Sequence, residues 1–185
     1  MRRSRAACTL VFAISLCGAG APHVQGQTRE SEDRLKAAFV SKFPQFVEWP
    51  ASATSGRTRI DLCVTGPASV RGDLQALVSG ETLNGRPILV REVQQPADAG
   101  SCHLLYVPQR GGEWPDDLLT AVRSLPVLTV SDRPDFLEQG GIIALRVVQG
   151  RIRFEVDVAA AQRVGLRIGS QLLQLALSVR GGGPS

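Results

Sequence analysis

The sequence predicts an α/β sandwich built on a mixed β-sheet, and three observations predict it. Short apolar runs that read as buried strands alternate with short helical segments through the middle of the chain. A hairpin pattern follows at residues 142–158, and helical patterns close the chain. Strands separated by helices lie parallel with the helices on the sheet faces, whereas a hairpin adds an antiparallel pair.

Residues 30–48 read as the first helix. Ser31 is its candidate N-cap, with Glu32 and Asp33 in the first turn. Leu35, Ala38, Phe39, Phe43, Phe46 and Val47 recur at helical spacing and read as core, with an exposed partner-binding face as the alternative. Pro44 should kink this helix, and Trp49-Pro50 should end it. A polar loop over 51–57 leads into a strand at 59–65, which Gly66-Pro67 stops. A short helix is expected over 69–78, a turn over 80–85, and a strand over 86–93 with Pro87 at its start. After a loop over 96–100 comes a strand at 103–107. Residues 116–123 are helical in character, entered through Trp114-Pro115. Residues 127–130 form a short buried strand, and 134–138 one helical turn at most. The hairpin strands are 142–148 and 151–158, joined by Gln149-Gly150. In the second, Ile152, Phe154, Val156 and Val158 point inward and Arg151, Arg153, Glu155 and Asp157 outward. Gly165 stops a short helix over 159–164, and Ser170 is the candidate cap of a last helix whose apolar face runs from Leu172 to Val179. Residues 181–185 read as a disordered tail.

The chain has 185 residues, is 43% hydrophobic and 21% charged, and carries a formal charge of +4. This composition excludes a disordered or collagen-like polymer. Much of the positive charge sits in a leader: Arg2, Arg3 and Arg5 precede an apolar stretch from Ala6 to Leu16, the pattern of a signal peptide cleaved after Gly26. Removing residues 1–26 takes away three arginines and no acids, which lowers +4 to +1 and leaves 159 residues. No basic run with interleaved aromatics remains, so nucleic acid is not an expected partner. The leader is short and interrupted for a membrane span, so an exported chain without membrane insertion is expected, with an uncleaved signal anchor as the alternative.

Of four cysteines, Cys8 and Cys17 leave with the leader. Cys63 and Cys102, each beside an apolar run, are most simply a disulfide in an oxidising compartment, with two buried thiols as the alternative. His103 is the one histidine left, too few for a zinc site with two spaced cysteines. No nucleophile elbow, phosphate loop or dinucleotide fingerprint is present, so no cofactor is expected. The carboxylates are scattered, as in Asp116-Asp117, Asp132/Asp135 and Glu155/Asp157. The last pair alternates on a strand and points to one face, as acid–base work could use, and a solvated face explains it equally well. Arg151 and Arg153 beside Glu155 read first as a solvated strand face; the alternative is a zwitterion site, which would make the protein a small-ligand module feeding a membrane sensor kinase. The catalytic inventory does not support an enzyme.

Eight blocks in order carry a family resemblance. They are Lys36 to Phe39 with Phe46 to Pro50, Leu62 to Gly66, Leu83 to Ile88, Cys102 to Val107, Pro126 to Asp132, Phe136 to Ile143, Arg151 to Asp157, and Ser170 to Ala176. Together they resemble the YfiR-like family of periplasmic proteins over residues 27–180. The resemblance implies a three-layer α/β/α fold, a homodimer and a regulatory role without catalysis. It implies binding to the periplasmic part of an inner-membrane diguanylate cyclase and repression of cyclic di-GMP synthesis. Release would come from an outer-membrane lipoprotein with a peptidoglycan-binding domain, or from reducing stress. The family's shared disulfide maps onto Cys63 and Cys102, whereas a second pair known in some members has no counterpart. The matching blocks are structural, so no cyclase-contact residue is carried over.

Overall fold

The computed structural model describes residues 24–111 and 116–182. The leader up to residue 23, Trp114-Pro115 and the last three residues of the tail lie outside the described residues.

Helix α1 (Val24–Lys42) begins before Ser31, which therefore sits inside it and is not its cap. Pro44 does not kink the helix; the α-helical ladder stops at Lys42 and the chain tightens into a 3-10 turn over Phe43–Phe46. Proline has no N–H to continue the ladder, and a 3-10 turn accommodates it in the first positions. Strand β1 (Val47–Glu48) follows, then a single helical turn α2 (Ala51–Thr54) inside the expected loop. Next come β2 (Ile60–Val64), α3 (Ala68–Val78), β3 (Thr82–Leu83) and β4 (Arg86–Glu92). The expected turn over 80–85 is thus partly a hairpin, closed by Asn84 and Gly85. Another helical turn, α4 (Pro96–Ala99), precedes β5 (Leu104–Val107), α5 (Asp116–Val122) and β6 (Leu128–Ser131). Strands β7 (Ile143–Val148) and β8 (Arg151–Asp157) form the expected hairpin. Gln149 and Gly150 both take positive φ (51° and 71°), the two-residue geometry that matches strand twist.

The last stretch departs from expectation. Helix α6 (Val158–Arg163) is capped by Asp157, whose Oδ1 accepts the Ala160 N–H at 2.7 Å. Strand β9 (Arg167–Ile168) pairs with β1. Helix α7 (Ser170–Leu175) is capped by Gly169, with Ser170 already its first residue. It stops at Leu175, and Val179 lies on strand β10 (Ser178–Arg180) rather than on a helical face. The reason is a sheet edge elsewhere in the chain: the Leu177 N–H donates to the Phe154 carbonyl at 2.7 Å, and β10 then runs parallel to β8.

The main sheet has eight strands in the order β10-β8-β7-β6-β5-β2-β4-β3. Five neighbours, from β4 to β7, are parallel, and β8 turns back antiparallel on β7. Side chains alternate between two cores. Leu62, Val64, Leu104, Tyr106, Ile143 and Leu145 pack with α1, α3, α6 and α7 on one face. Cys63, Leu105, Val107 and Ala144 pack with α4, α5 and Phe136 on the other. Both faces are covered, which makes the three-layer α/β/α sandwich and explains why β2 is buried along its whole length. On α1 the inward line is Lys36, Ala37 and Val40, continued by Phe43 in the 3-10 turn, while Leu35, expected in the core, is 55% exposed. Phe43 and Phe39 meet Phe154 of β8 at centroid separations of 5.3 and 6.3 Å.

Gly141 leads into β7 where the fully buried Phe136 ring occupies the space of a side chain, so a Cβ there would run into the ring. Gly141→Ala is expected to lower unfolding free energy by about 2–3 kcal/mol through overpacking. Chemical denaturation of the purified variant measures this.

Candidate functional site

The buried polar centre lies at the start of β2 and β5. Asp61 is 2% exposed in an apolar strand. Its carboxylate meets Arg59 Nε at 3.0 Å, Arg57 at 3.3 Å, and Arg91 Nε at 3.1 Å. The Arg91 contact lies off the hydrogen-bonding direction of that N–H, so the attraction there is Coulombic. Arg91 also donates to Ser101 Oγ at 2.6 Å, and Arg57 to the Ser101 carbonyl at 2.9 Å. Two residues along, Cys63 is bonded to Cys102 with Cα atoms 5.8 Å apart, tying β2 to the entry of β5.

His103 completes this centre. Its Nδ1 accepts the Asp61 N–H at 3.1 Å, which places the proton of the neutral ring on Nε2. Nε2 faces the Ala53 main chain without a well-directed hydrogen bond. Trp49 Nε1 donates to the His103 carbonyl at 3.2 Å. Burial first, and then the Arg57 charge, hold the imidazole pKa below its ordinary 6.5. His103 therefore braces a strand end as a neutral side chain, and Asp61 and its arginines are its neighbours rather than a nucleophile.

A second polar region lies at the carboxyl ends of β5 and β6, against α1. In sheets wound in both directions, ligands favour the crevice at this end. Here Lys36 Nζ lies 2.6 Å from both Asp132 and Glu32. Asp132 Oδ1 also accepts the Gln109 N–H at 2.6 Å, and Arg110 pairs with Asp33 at 2.8 Å. Burial works against the Lys36 charge, but its hydrogen bonds to Asp132 and Glu32 outweigh that and raise the pKa above 10.5. Burial, and then the nearby Asp132, Asp33 and Glu32, push the Tyr106 phenol well above 10.0. Two adjoining hollows of about 410 and 420 Å³ share these groups. The charges in them satisfy one another and clamp α1 to the sheet.

The remaining sequence candidates do not converge. Asp132 belongs to the α1 clamp, whereas Asp135 and Asp117 are exposed. Glu155 accepts from Arg146 at 2.9 Å and Ser178 at 3.1 Å, and Asp157 caps α6. Both acids are engaged in structure, so neither an acid–base pair nor a zwitterion site with Arg151 and Arg153 is assembled. Among the described residues no three His, Cys, Asp or Glu side chains converge to hold a metal ion, and no helix is long and apolar enough to cross a membrane. Sequence reading missed the Asp61 cluster. Its signal was a lone acid within Ile60 to Val64, with Arg57 and Arg59 on the same side of the extended chain.

One surface stands apart. Seven large apolar side chains are exposed among the described residues, and only Leu89 lies away from the β7–β8–β10 side. Leu175 (61%), Leu177 (46%) and Val179 (43%) follow one another along α7 and β10. Val147 and Val148 end β7, and Leu35 sits one helical turn before Phe39, which packs on β8. Strand β10 ends the sheet, so one line of its backbone groups is unpaired by any neighbouring strand.

Two measurements test the buried centre. Replacing both Cys63 and Cys102 by Ser should reduce stability by roughly 3–4 kcal/mol, from the reopened loop of 39 residues. A histidine with a lowered folded-state pKa stabilises fully above its unfolded pKa, and that contribution is lost as pH falls through the folded one. Unfolding free energy should therefore decrease as pH falls below the ordinary imidazole value of 6.5, and His103→Gln should flatten the slope in denaturant titrations.

A crystal structure of a conserved domain protein from Vibrio cholerae O1 biovar El Tor str. N16961 is similar in fold, with a TM-score of 0.50 at 13% identity. The alignment covers 70% of this chain and 57% of that one, so the present chain spans little more than half the length of the solved protein. A family described as YfiR/HmsC-like (DUF4154) matches residues 33–177, from the first turns of α1 to the entry of β10. The chain belongs to this family of periplasmic regulators.

Proposed function

We propose that this protein is a periplasmic repressor that docks on the periplasmic part of an inner-membrane diguanylate cyclase and holds the cyclase in its inactive state. The observation that carries the reading is the apolar edge of β10 and α7 in a chain of this regulatory family. Exposed apolar side chains on one sheet edge are a surface for another protein, and an open strand lets a partner add its own backbone. Repression is a population shift, so the edge must bind the inactive cyclase better than the active one. A hundredfold preference corresponds to about 2.8 kcal/mol. At about 25 cal/mol per Å², roughly 110 Å² of extra apolar burial supplies it, the area of one or two leucine side chains. Leu175, Leu177 and Val179 offer that area. A second copy of the chain and an outer-membrane peptidoglycan-binding lipoprotein are the other occupants, and either one seated on the edge would displace the cyclase.

Loss of the gene should raise cellular cyclic di-GMP. Restoring the natural chain should lower it again, whereas a Leu177→Glu chain exported at the same level should not. Leu177 is exposed, so the variant keeps its fold. Unchanged cyclic di-GMP in the deletion strain, or full repression by the Glu variant, would overturn the reading.

A further inference from the structure

We propose that Asn84-Gly85 is a site of spontaneous deamidation, and that its isoaspartyl product detaches β3 from β4 and opens the far edge of the sheet. Asn84 is the only asparagine in the chain, and no Asp-Gly pair occurs anywhere in it. Asn84 and Gly85 make the two-residue turn between β3 and β4, with φ angles of 51° and 75°. A turn of this kind needs two residues that tolerate positive φ, which favours asparagine followed by glycine. The same demand sets a carboxamide beside the one residue type whose amide nitrogen no side chain shields. Both residues are exposed, and a side chain on Gly85 would meet no atom within 4 Å beyond its chain neighbours. Water therefore has free access to the reacting groups.

The reaction needs only water. The Gly85 nitrogen, having lost its proton to hydroxide, attacks Asn84 Cγ. The N–Cγ bond forms, the Cγ–Nδ2 bond breaks, and the leaving nitrogen takes up a proton to depart as ammonia, which leaves a five-membered succinimide. Water adding at Cγ reopens the ring to aspartate and restores the main chain. Water adding at the residue 84 carbonyl carbon leaves the main chain running through Cγ, an isoaspartate with one more backbone carbon. Bringing the nitrogen onto Cγ requires the turn to relax, and that relaxation is local. Strand β3 has two residues, Thr82 exposed and Leu83 half-buried, paired with Pro87 and Arg86. The added carbon no longer fits a two-residue turn, so these pairs part, and with them the bond from the Ile88 N–H to the Glu81 carbonyl at 3.2 Å. Strand β4 then pairs with β2 alone, and its outer side becomes an open edge at the opposite end of the sheet from β10. The Gln149-Gly150 turn has the same two positive φ angles, but its ring would be six-membered and closes far more slowly. No step involves the β10 edge or a partner.

Incubation of the intact protein at mildly alkaline pH, followed by peptide mapping with mass spectrometry, tests the assignment. The peptide containing residue 84 should gain the mass difference between an amide and an acid, in two chromatographically distinct forms, isoaspartyl and aspartyl. The gain should quicken as pH is raised, since the nucleophile is the deprotonated amide. The peptide containing Gln149 should show none over the same interval. Asn84→Gly, which keeps the positive φ, should abolish the gain at this turn. In the isoaspartyl form the Ile88 amide should exchange its hydrogen about three- to tenfold faster, the worth of one hydrogen bond. Freshly purified Asn84→Asp, whose main chain is unaltered, should keep the native exchange rate. No gain at residue 84 by the time an unstructured peptide of residues 80–88 has converted, an aspartyl product alone, or native Ile88 exchange in the isoaspartyl form would overturn it.

Discussion

A carboxylate at 2% exposure in a central strand must be neutralised where it stands, and the fold is arranged around that requirement for Asp61. An isolated buried charge costs several kcal/mol, and removing one partner from a buried pair typically costs about 3–5 kcal/mol. Three arginines converge on Asp61: two from the segment before β2 and one from β4. Two of them continue to Ser101, beside the bridge from Cys102 to Cys63. The Asp61 backbone meanwhile exchanges hydrogen bonds with His103, through its N–H to Nδ1 and its carbonyl to the His103 N–H. One cluster thereby fixes the register of β2 against β4 and β5, the strands on either side of it. A covalent bond and a charge network hold the same end of the sheet.

The other end is held by a different device. Lys36, nearly buried on α1, is trapped between Glu32 and Asp132, so the first helix is clamped to the carboxyl end of β6. Where a doubly wound sheet commonly receives a ligand, this chain places an ion-pair network of its own. Packing against β8 through Phe39 near the end of α1 and Phe43 in the turn after it leaves Leu35, one helical turn earlier, in solvent. Leu177 and Val179, just before and on the edge strand β10, stay exposed as well.

A regulatory binding protein needs a stiff scaffold beneath an exposed apolar edge, and the two requirements conflict. Open edges invite unwanted pairing, and natural sheets blunt them with charge or brevity. Here β10 is three residues long and ends in Arg180, which is tied to Glu138 at 2.7 Å. The short, charge-terminated edge limits self-pairing while keeping the leucine and valine side chains available.

Much of this was legible in the residues because the determining forces are local. The alternation Ile152, Phe154, Val156 placed β8 and its buried face, and Gln149-Gly150 located a turn that needs two positive φ angles. The apolar run around Cys63 read as a buried strand, since both of its faces are covered. What local pattern left open depended on partners distant in sequence. Leu172 to Val179 has a helical apolar face, yet its second half is a strand, because the edge of β8 offered hydrogen bonds that no local periodicity reveals. Leu35 continues the stripe of α1 but lies beyond what the sheet covers. Asp61 read as one polar residue in a strand until folding brought Arg91 to it from 30 residues away. By itself the sequence determined the elements and the two-faced burial of the sheet, because backbone preference and side-chain alternation act between near neighbours. Only the tertiary structure decided the charge clusters and the exposed edge, because those depend on which distant surfaces are left to meet.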